Sequence, residues 1–420
     1  MSASPGGRSG RSPLLFVFLT VFIDLLGFGI VLPLLPVYSK AYGAGEVALG
    51  LLFSCFSGMQ FLFAPLWGRI SDRAGRRPVL IGGLVGTAAS YALFAVADSM
   101  PLLFASRLLA GFFGANISTA QAYIADVTTP ENRAKGMGLI GAAFGLGFTL
   151  GPLIGGELTS LSPQAPGWFA AGLSLCAAAF GYLRLPEVRG NQAGSRVFGT
   201  VQVKHALTEP RIGVLMGLTF LTVSAFGAFE AMFTRFGLAR FPGVFHLPGA
   251  VENASLDEIL AAAPVAGRYL AAIGVISALI QGGLIRRLVP RFGEPALLVV
   301  GPFLLGLALA VVGLGGWFQS WALVITGCVL MPLGFGLSNP ALASLVSRAS
   351  PAAEQGAYMG INQSISSLGR MTGPPAAGLL FGALGPQSPF FAAALVLGAA
   401  SLIALAYRRR HGASFARAKA

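Results

Sequence analysis

The chain has 420 residues, 55% of them hydrophobic and only 10% charged, with a mean hydropathy of +0.75. A soluble domain carries about 25% charged residues, so a deficit spread over the whole length excludes a soluble protein with one anchor and points to repeated membrane crossings. The net charge of +13 would suit nucleic acid, but its distribution along the chain assigns it to membrane topology instead.

A spanning helix needs about 20 mostly apolar residues. Cutting the chain at charge clusters and Pro/Gly turns predicts twelve: 13–36, 47–67, 78–97, 101–124, 135–159, 166–184, 211–233, 266–287, 293–314, 319–346, 356–380 and 387–407. The first is too long for the apolar core of a cleavable signal. The tenth is long enough to tilt or kink. The 58 glycines suit close helix–helix approach. Cys55, Cys176 and Cys328 are odd in number, lie in apolar runs and lack metal-ligand spacing. They read as packing residues, and no metal is expected.

With the N-terminus inside, 22 of the 28 Lys and Arg residues fall on inner segments. Only Lys40, Arg235, Arg240 and Arg268 fall outside, and Arg107 and Arg370 lie within spans. This positive-inside pattern predicts both termini in the cytoplasm of a cell with the chain in its plasma (inner) membrane. It leaves no role for nucleic acid.

The chain also repeats itself. In "LGFTLGPLIGG" (146–156) the residues Gly147, Gly151, Pro152 and Gly156 align with Gly369, Gly373, Pro374 and Gly378 of "LGRMTGPPAAG" (368–378), at a constant offset of 222. "GRISDRAGRRPVLI" after span two has a worn copy, "IRRLVPRFGEPALL", after span eight. There Arg291 and Gly293 match Arg73 and Gly75. The organisation predicted is an N-terminal six-helix bundle (1–184), a cytoplasmic linker (185–210) and a C-terminal six-helix bundle (211–420) with an outer insertion at 237–265. Such halves place a binding site between them near the midplane. In the insertion, "SLDEILAAA" opens with a helix cap and early acids, which predicts a surface helix over the outer rim.

These motifs resemble the major facilitator superfamily. "GRISDRAGRRPVL" looks like its loop signature. "DLLGFGIVLPLLP" (24–36), "RLLAGFFGA" (107–115) and "GPLIGG" (151–156) resemble the first-, fourth- and fifth-helix motifs of its twelve-helix drug/proton antiporters. "QAYIADVTTPENRAKGMGLIGAAFGLGFTLGPLIGG" is similar to the bacterial tetracycline antiporters. The resemblance implies an all-α polytopic fold, twelve helices in two pseudo-symmetric bundles. It further implies a latch on the inner side, in which Asp72 meets the start of the eleventh span and Arg76 meets Asp126. Asp72, Arg73, Arg76 and Asp126 are therefore the candidate gating residues. The tetracycline pumps carry an acid in the ninth span where "ALLVVGPFLLGLALAVVG" has none, which argues against tetracycline as substrate.

The intramembrane charges supply the coupling candidates. Asp24 lies eleven residues into span one, ~16 Å from the inner edge at ~1.5 Å per residue. An ionised carboxylate at that depth costs ~2.5 kcal/mol or more. Arg107 enters from the outer side, ~9 Å down, so the two backbones differ in depth by only ~5 Å across a ~30 Å core. An acid beside a movable arginine meets the requirement for a proton switch. Glu230, near the outer end of span seven, is a second proton site or a rim partner of Arg235. Arg370 interrupts a glycine-rich span and calls for an anionic partner from protein or substrate. Gln60, Asn116, Gln121, Asn339 and Gln363, with Arg370, are the candidate substrate contacts. Gly147, Gly151, Pro152, Gly369, Gly373 and Pro374 are candidates for close packing and bending of interface helices.

The expected function is export of lipophilic drug-like molecules by a monomeric, proton-coupled carrier working by alternating access, as in multidrug efflux and antibiotic resistance. No cofactor beyond the proton gradient is expected, because the chain has no GxxxxGK[ST] loop. No nucleophile–base or metal cluster suggests an enzyme. Two alternatives stand beside this: a proton-coupled carrier of a defined, anionic metabolite anchored by Arg107 and Arg370, and a receptor or scaffold that binds without flux.

Overall fold

A computed structural model describes residues 13–114, 116–127, 130–187, 200–351 and 355–417. Its helices form twelve spans. The first is Pro13–Val31 continued by Leu34–Ala41 after a turn at Leu32 and Pro33; the missing proline N–H makes this a natural break. Glu46–Ala74, Arg76–Ala95, the pair Met100–Phe113 and Asn116–Val127, Pro130–Thr159 and Ala165–Arg184 complete the first bundle. The second bundle begins with Pro210–Arg240. Its eighth span is Ala263–Leu279, a π-turn at Ile280–Leu284 and Ile285–Phe292. Glu294–Trp317, Trp321–Ala349, Gln355–Leu384 and Ser388–Arg417 follow. Among the described residues, nine helices are long and apolar enough to cross a membrane.

Three expectations shift. The second span does not stop at 67 but runs to Ala74, so Arg69, Asp72 and Arg73 ride on its last turns and the turn is at Gly75 alone. Charged side chains sustain a helix as well as apolar ones once it leaves the lipid. The stretch taken as linker holds a helix, Thr200–Thr208, stopped before Pro210. It docks on the second bundle through buried Ala206 and through His205 Nδ1, 2.7 Å from Tyr358 Oη. The insertion is less helical than expected. The seventh span extends to Arg240, and two 3-10 turns lead to a five-residue helix, Leu256–Leu260. That helix has the expected cap, in which Ser255 and Glu258 bond each other's backbone N–H. Phe245, Leu247, Val251 and Ile259 of the insertion are buried and anchor it, while Ser255, Leu256 and Asp257 are exposed, so the short helix lies at the surface.

The face carrying the start of the first span and the end of the twelfth is here called the terminal face, its opposite the far face. The apolar core forks between them. On the far half one cluster joins both bundles, uniting Ile30, Leu49 and Leu103 with Phe229, Val265 and Ala377. Toward the terminal face it divides into a cluster of the first bundle, around Val17, Leu80 and Tyr123, and one of the second, around Leu215, Leu298 and Leu345.

The far half is sealed by two repeat-related seams. A Cβ on Gly50 would lie 2.5 Å from the Pro374 carbonyl oxygen, and one on Gly267 2.3 Å from that of Pro152. Gly378 meets the Glu46 carbonyl and Gly156 that of Ala263 in the same way, at 2.4 and 2.8 Å. Only glycine permits backbones this close. Among the described residues, the side-chain bonds that cross between bundles lie in this half too. Arg235 sits 3.4 Å from Glu46 and donates to the Ala44 carbonyl. Arg268 pairs with Glu157 at 2.6 Å, and Ser54 donates to the Met371 carbonyl.

Candidate functional site

A narrow cavity lies at the fork, with about 430 Å³ of space when the open solvent at its mouth is included. The first span contributes Phe28, Val31, Leu32 and Leu35, and the second Leu52, Phe53, Phe56 and Ser57. The charged wall is Arg107 from the fourth span, Glu230 from the seventh and Arg370 from the eleventh. Phe28 and Phe56 stack with centroids 4.7 Å apart, and Phe148 meets Phe28 edge-on at 5.7 Å.

Arg107 is 1% exposed. Among the described residues its Nε donates to Ser106 Oγ, at 3.4 Å, and its Nη2 has no hydrogen-bond partner. The guanidinium instead lies over the rings of Phe94 and Tyr91, at 5.2 and 5.9 Å, contacts worth ~2 kcal/mol at most when desolvated. Asp24 is buried inside the first bundle, one helical turn from Phe28 and outside the cavity wall. The expected direct pairing of Asp24 with Arg107 is not made, since no ion pair joins them. Tyr91, whose ring packs on Gly27, feels the charge of both. A tyrosine between acid and base was not anticipated, because its position depends on the third span's rotation.

Glu230 faces Arg370, close enough for their charges to interact but without an ion pair. This supplies the protein anion that Arg370 was expected to need. Arg370 also donates to Ser367 Oγ at 3.1 Å. Arg235, the alternative partner of Glu230, is engaged with Glu46.

The other candidates are scattered. Gln60 Nε2 donates to the Gly114 carbonyl at 3.0 Å, tying the break in the fourth span to the second. Asn339 and Gln363 are exposed and do not line the cavity. The side chains of Asn116 and Gln121 lie outside the described residues. Gly147 and Gly151 press on Leu25 and Gly29 of the first span, and Gly369 and Gly373 on Phe220 and Ser224 of the seventh. Pro152 and Pro374 offer the carbonyls that receive Gly267 and Gly50.

On the terminal face, Arg76 is 7% exposed and gathers three partners. Nε donates to Asp126 Oδ2 at 3.0 Å, and Nη1 donates to Ser71 Oγ at 2.6 Å and lies 2.5 Å from Asp72 Oδ1. All four belong to the first bundle. The contact of Asp72 with the eleventh span implied by the resemblance is not among the described contacts, and Arg73 is exposed. Sequence reasoning missed a cluster in the second bundle, where Arg348 Nη2 donates to Glu294 Oε1 at 2.7 Å and Ser344 Oγ approaches the same oxygen at 3.4 Å. It also missed Glu46 and Glu157 as partners of outer arginines. The scarcity of basic residues on that side was the available signal.

The Major Facilitator Superfamily model matches residues 17–371 and again 288–419. The chain belongs to the Major Facilitator Superfamily. It is therefore a multi-pass membrane transporter with a lipid bilayer around it and a small molecule as cargo. It is 31% identical over 417 residues to the class C tetracycline resistance protein of Escherichia coli, covering 96% of this chain and 98% of that one. It is 29% identical over 391 residues to multidrug resistance protein 1 of Bacillus subtilis, covering 92% and 94%. Among solved structures it resembles the human organic anion transporter MFSD10, with a TM-score of 0.69 and 27% identity over 95% of this chain and all of that one.

Proposed function

We propose that this transporter exports lipophilic, drug-like molecules in exchange for protons, alternating access between two bundles, 1–184 and 211–420, that rock about the cavity. The terminal face is cytoplasmic, the membrane is the plasma membrane, and the protein works as a monomer on the proton gradient alone. The observation that carries this reading is the forked core. One apolar cluster and two glycine seams close the far half, the bundles part toward the terminal face, and an aromatic cavity with three charged side chains sits at the branch point. That is the arrangement of a carrier open to the cytoplasm. Tetracycline and multidrug resistance proteins among its relatives support export of drug-like cargo.

The coupling sites are Asp24 and Glu230, with Arg107 and Arg370 as the cations whose distance changes when the bundles move. The cluster of Asp72, Arg76 and Asp126, with Arg73 beside it, braces the terminal end of the first bundle and gates that side when it closes. The test is flux in proteoliposomes across a panel of lipophilic compounds, with and without a pH gradient. Export should follow the gradient and lose at least ~tenfold in rate in Asp24→Asn. Flux that ignores the gradient in the wild type defeats the antiport reading.

A further inference from the structure

The proposed function puts a proton on Asp24 and a moving cation at Arg107, yet the two groups sit apart. Asp24 is buried inside the first bundle and off the cavity wall that Arg107 lines. Tyr91 of the third span reaches both. Its ring is 3% exposed and seats on the backbone of the first span. A Cβ built on Gly27 would lie 2.7 Å from Tyr91 Cε2 and 2.9 Å from Tyr91 Oη. Asp24 and Gly27 are three residues apart on one helix, which makes them surface neighbours with Cβ positions about 5–6 Å apart. The phenol hydroxyl therefore stands within one side chain's reach of the carboxyl, and Tyr91 feels its charge. Over the same ring lies Arg107, its Cζ 5.9 Å from the centroid.

We propose that Tyr91 is the positioning residue through which the protonation of Asp24 reaches Arg107. This rests on the antiport reading and adds to it the path from the proton to the cavity. A phenol hydroxyl both donates and accepts. Toward an ionised Asp24 it donates, and that charge-assisted bond polarises the phenol and makes its ring face more negative. The attraction of a cation to a ring is electrostatic, so Arg107 is then held firmly. When Asp24 takes up a proton, the carboxyl becomes the donor and the hydroxyl the acceptor. The ring face loses negative character, and the guanidinium is released toward the cavity. Tyr91 keeps its own proton throughout and acts by the direction of its hydrogen bond. Phe94, also under Arg107 at 5.2 Å, has no hydroxyl and supplies the constant part of the hold. Cys55 of the second span interacts with the charge of Arg107, and Glu230 and Arg370 share its cavity wall. The fourth, fifth and sixth spans, which also pack on the first, bring other charges only near their inner or outer ends: Asp126, held by Arg76; Glu131, Arg133, Lys135 and Glu157; and Arg184.

The experiment is a double-mutant cycle on the full chain, read from unfolding by sodium dodecyl sulfate in mixed micelles, with neither cargo nor gradient. Asp24→Asn, Arg107→Gln and the pair together are compared in the wild-type and the Tyr91→Phe backgrounds, at acid and at alkaline pH. With Tyr91 in place, the two substitutions should depart from additivity at alkaline pH by at least ~fivefold in the unfolding equilibrium constant, and by less than ~twofold at acid pH. Tyr91→Phe keeps a ring under Arg107 and removes only the hydroxyl. It should bring the alkaline coupling below ~twofold as well. A Tyr91 that merely fills space would shift every midpoint alike and leave the coupling as it was. That result overturns the proposal, as does coupling that is absent with Tyr91 in place or equal at the two pH values. If Arg107→Gln does not fold, Arg107→Lys, which keeps the charge but loses the flat guanidinium, takes its place in the cycle. The antiport reading fails separately. Flux that ignores a pH gradient sinks it and leaves the coupling standing, whereas gradient-driven flux with additive substitutions sinks the role of Tyr91 alone.

Discussion

The turns after spans two and eight are copies of one another, and they differ in the sign of their charges. In both, a glycine ends one helix and starts the next. Gly75 has φ 99°, ψ 156° and Gly293 φ 76°, ψ 155°, and each donates its N–H to the carbonyl four residues earlier, Ser71 or Val289. In both, the first residue of the new helix is buried and reaches to the end of the next span. In the first bundle that residue is Arg76, meeting Asp126. In the second it is Glu294, meeting Arg348. Asp126 and Arg348 stand at the repeat's own offset of 222. The repeat has kept a backbone path and an ion pair across two helices while exchanging its poles. What the fold requires there is a bond between the third and fourth helices of each bundle; which end carries the plus is free.

Charge reversal breaks this comparison most directly. Arg76→Glu places a third acid between Asp72 and Asp126 and should cost roughly 3 kcal/mol, at the low end for a broken buried pair because both carboxylates are partly exposed. Thermal unfolding in detergent and proton-driven flux would both register it. Adding Asp126→Arg copies the second bundle's polarity and should recover about half. Asp72 would remain four residues from the new glutamate, a like-charge helical pair that opposes complete rescue. No recovery at all would mean that the two clusters are not equivalent.

The glycines come next. Their backbone angles are open to glycine and strained for other residues, at ~1–3 kcal/mol each. Gly75→Ala should exceed Gly293→Ala by up to ~1 kcal/mol, because its Cβ would lie 2.2 Å from Glu187 Oε1, whereas the nearest atom at Gly293 is Pro295 Cδ at 3.7 Å. Paired melting curves of the two variants give the order.

Much of this was legible in the chain, for definable reasons. Span number follows from apolar length and from where arginines stop the runs, both local properties. The repeat of Gly147, Gly151 and Pro152 was visible because packed backbones tolerate one residue type. The Arg76–Asp126 pair was readable only through resemblance. The Glu294–Arg348 pair was invisible, since once the charges swap the motif no longer matches itself. Depth along a span says nothing of azimuth: Asp24 lies outside the cavity wall that Arg107 lines, and Tyr91 feels the charge of both. Azimuth likewise assigned Arg370 rather than Arg235 to Glu230.

The smallest effect sharpens the comparison furthest. Glu294→Gln keeps the shape and the approach of Ser344 but removes the charge. The Glu294 side chain is 7% exposed and Arg348 is 41% exposed, so the pair is reached by salt and is worth about 1 kcal/mol or less. The Arg76 side chain is 8% exposed, against 27% for that of Asp72 and 21% for that of Asp126, and its cluster is more shielded. Raising ionic strength from ~0.01 M to ~1 M shortens the screening length from ~30 Å to ~3 Å. The gap in unfolding temperature between wild type and Glu294→Gln should therefore close with salt, while the gap for Arg76→Gln should persist. If both gaps close together, the two clusters share one environment and differ in sign alone. If neither does, Arg348 is held by more than its charge.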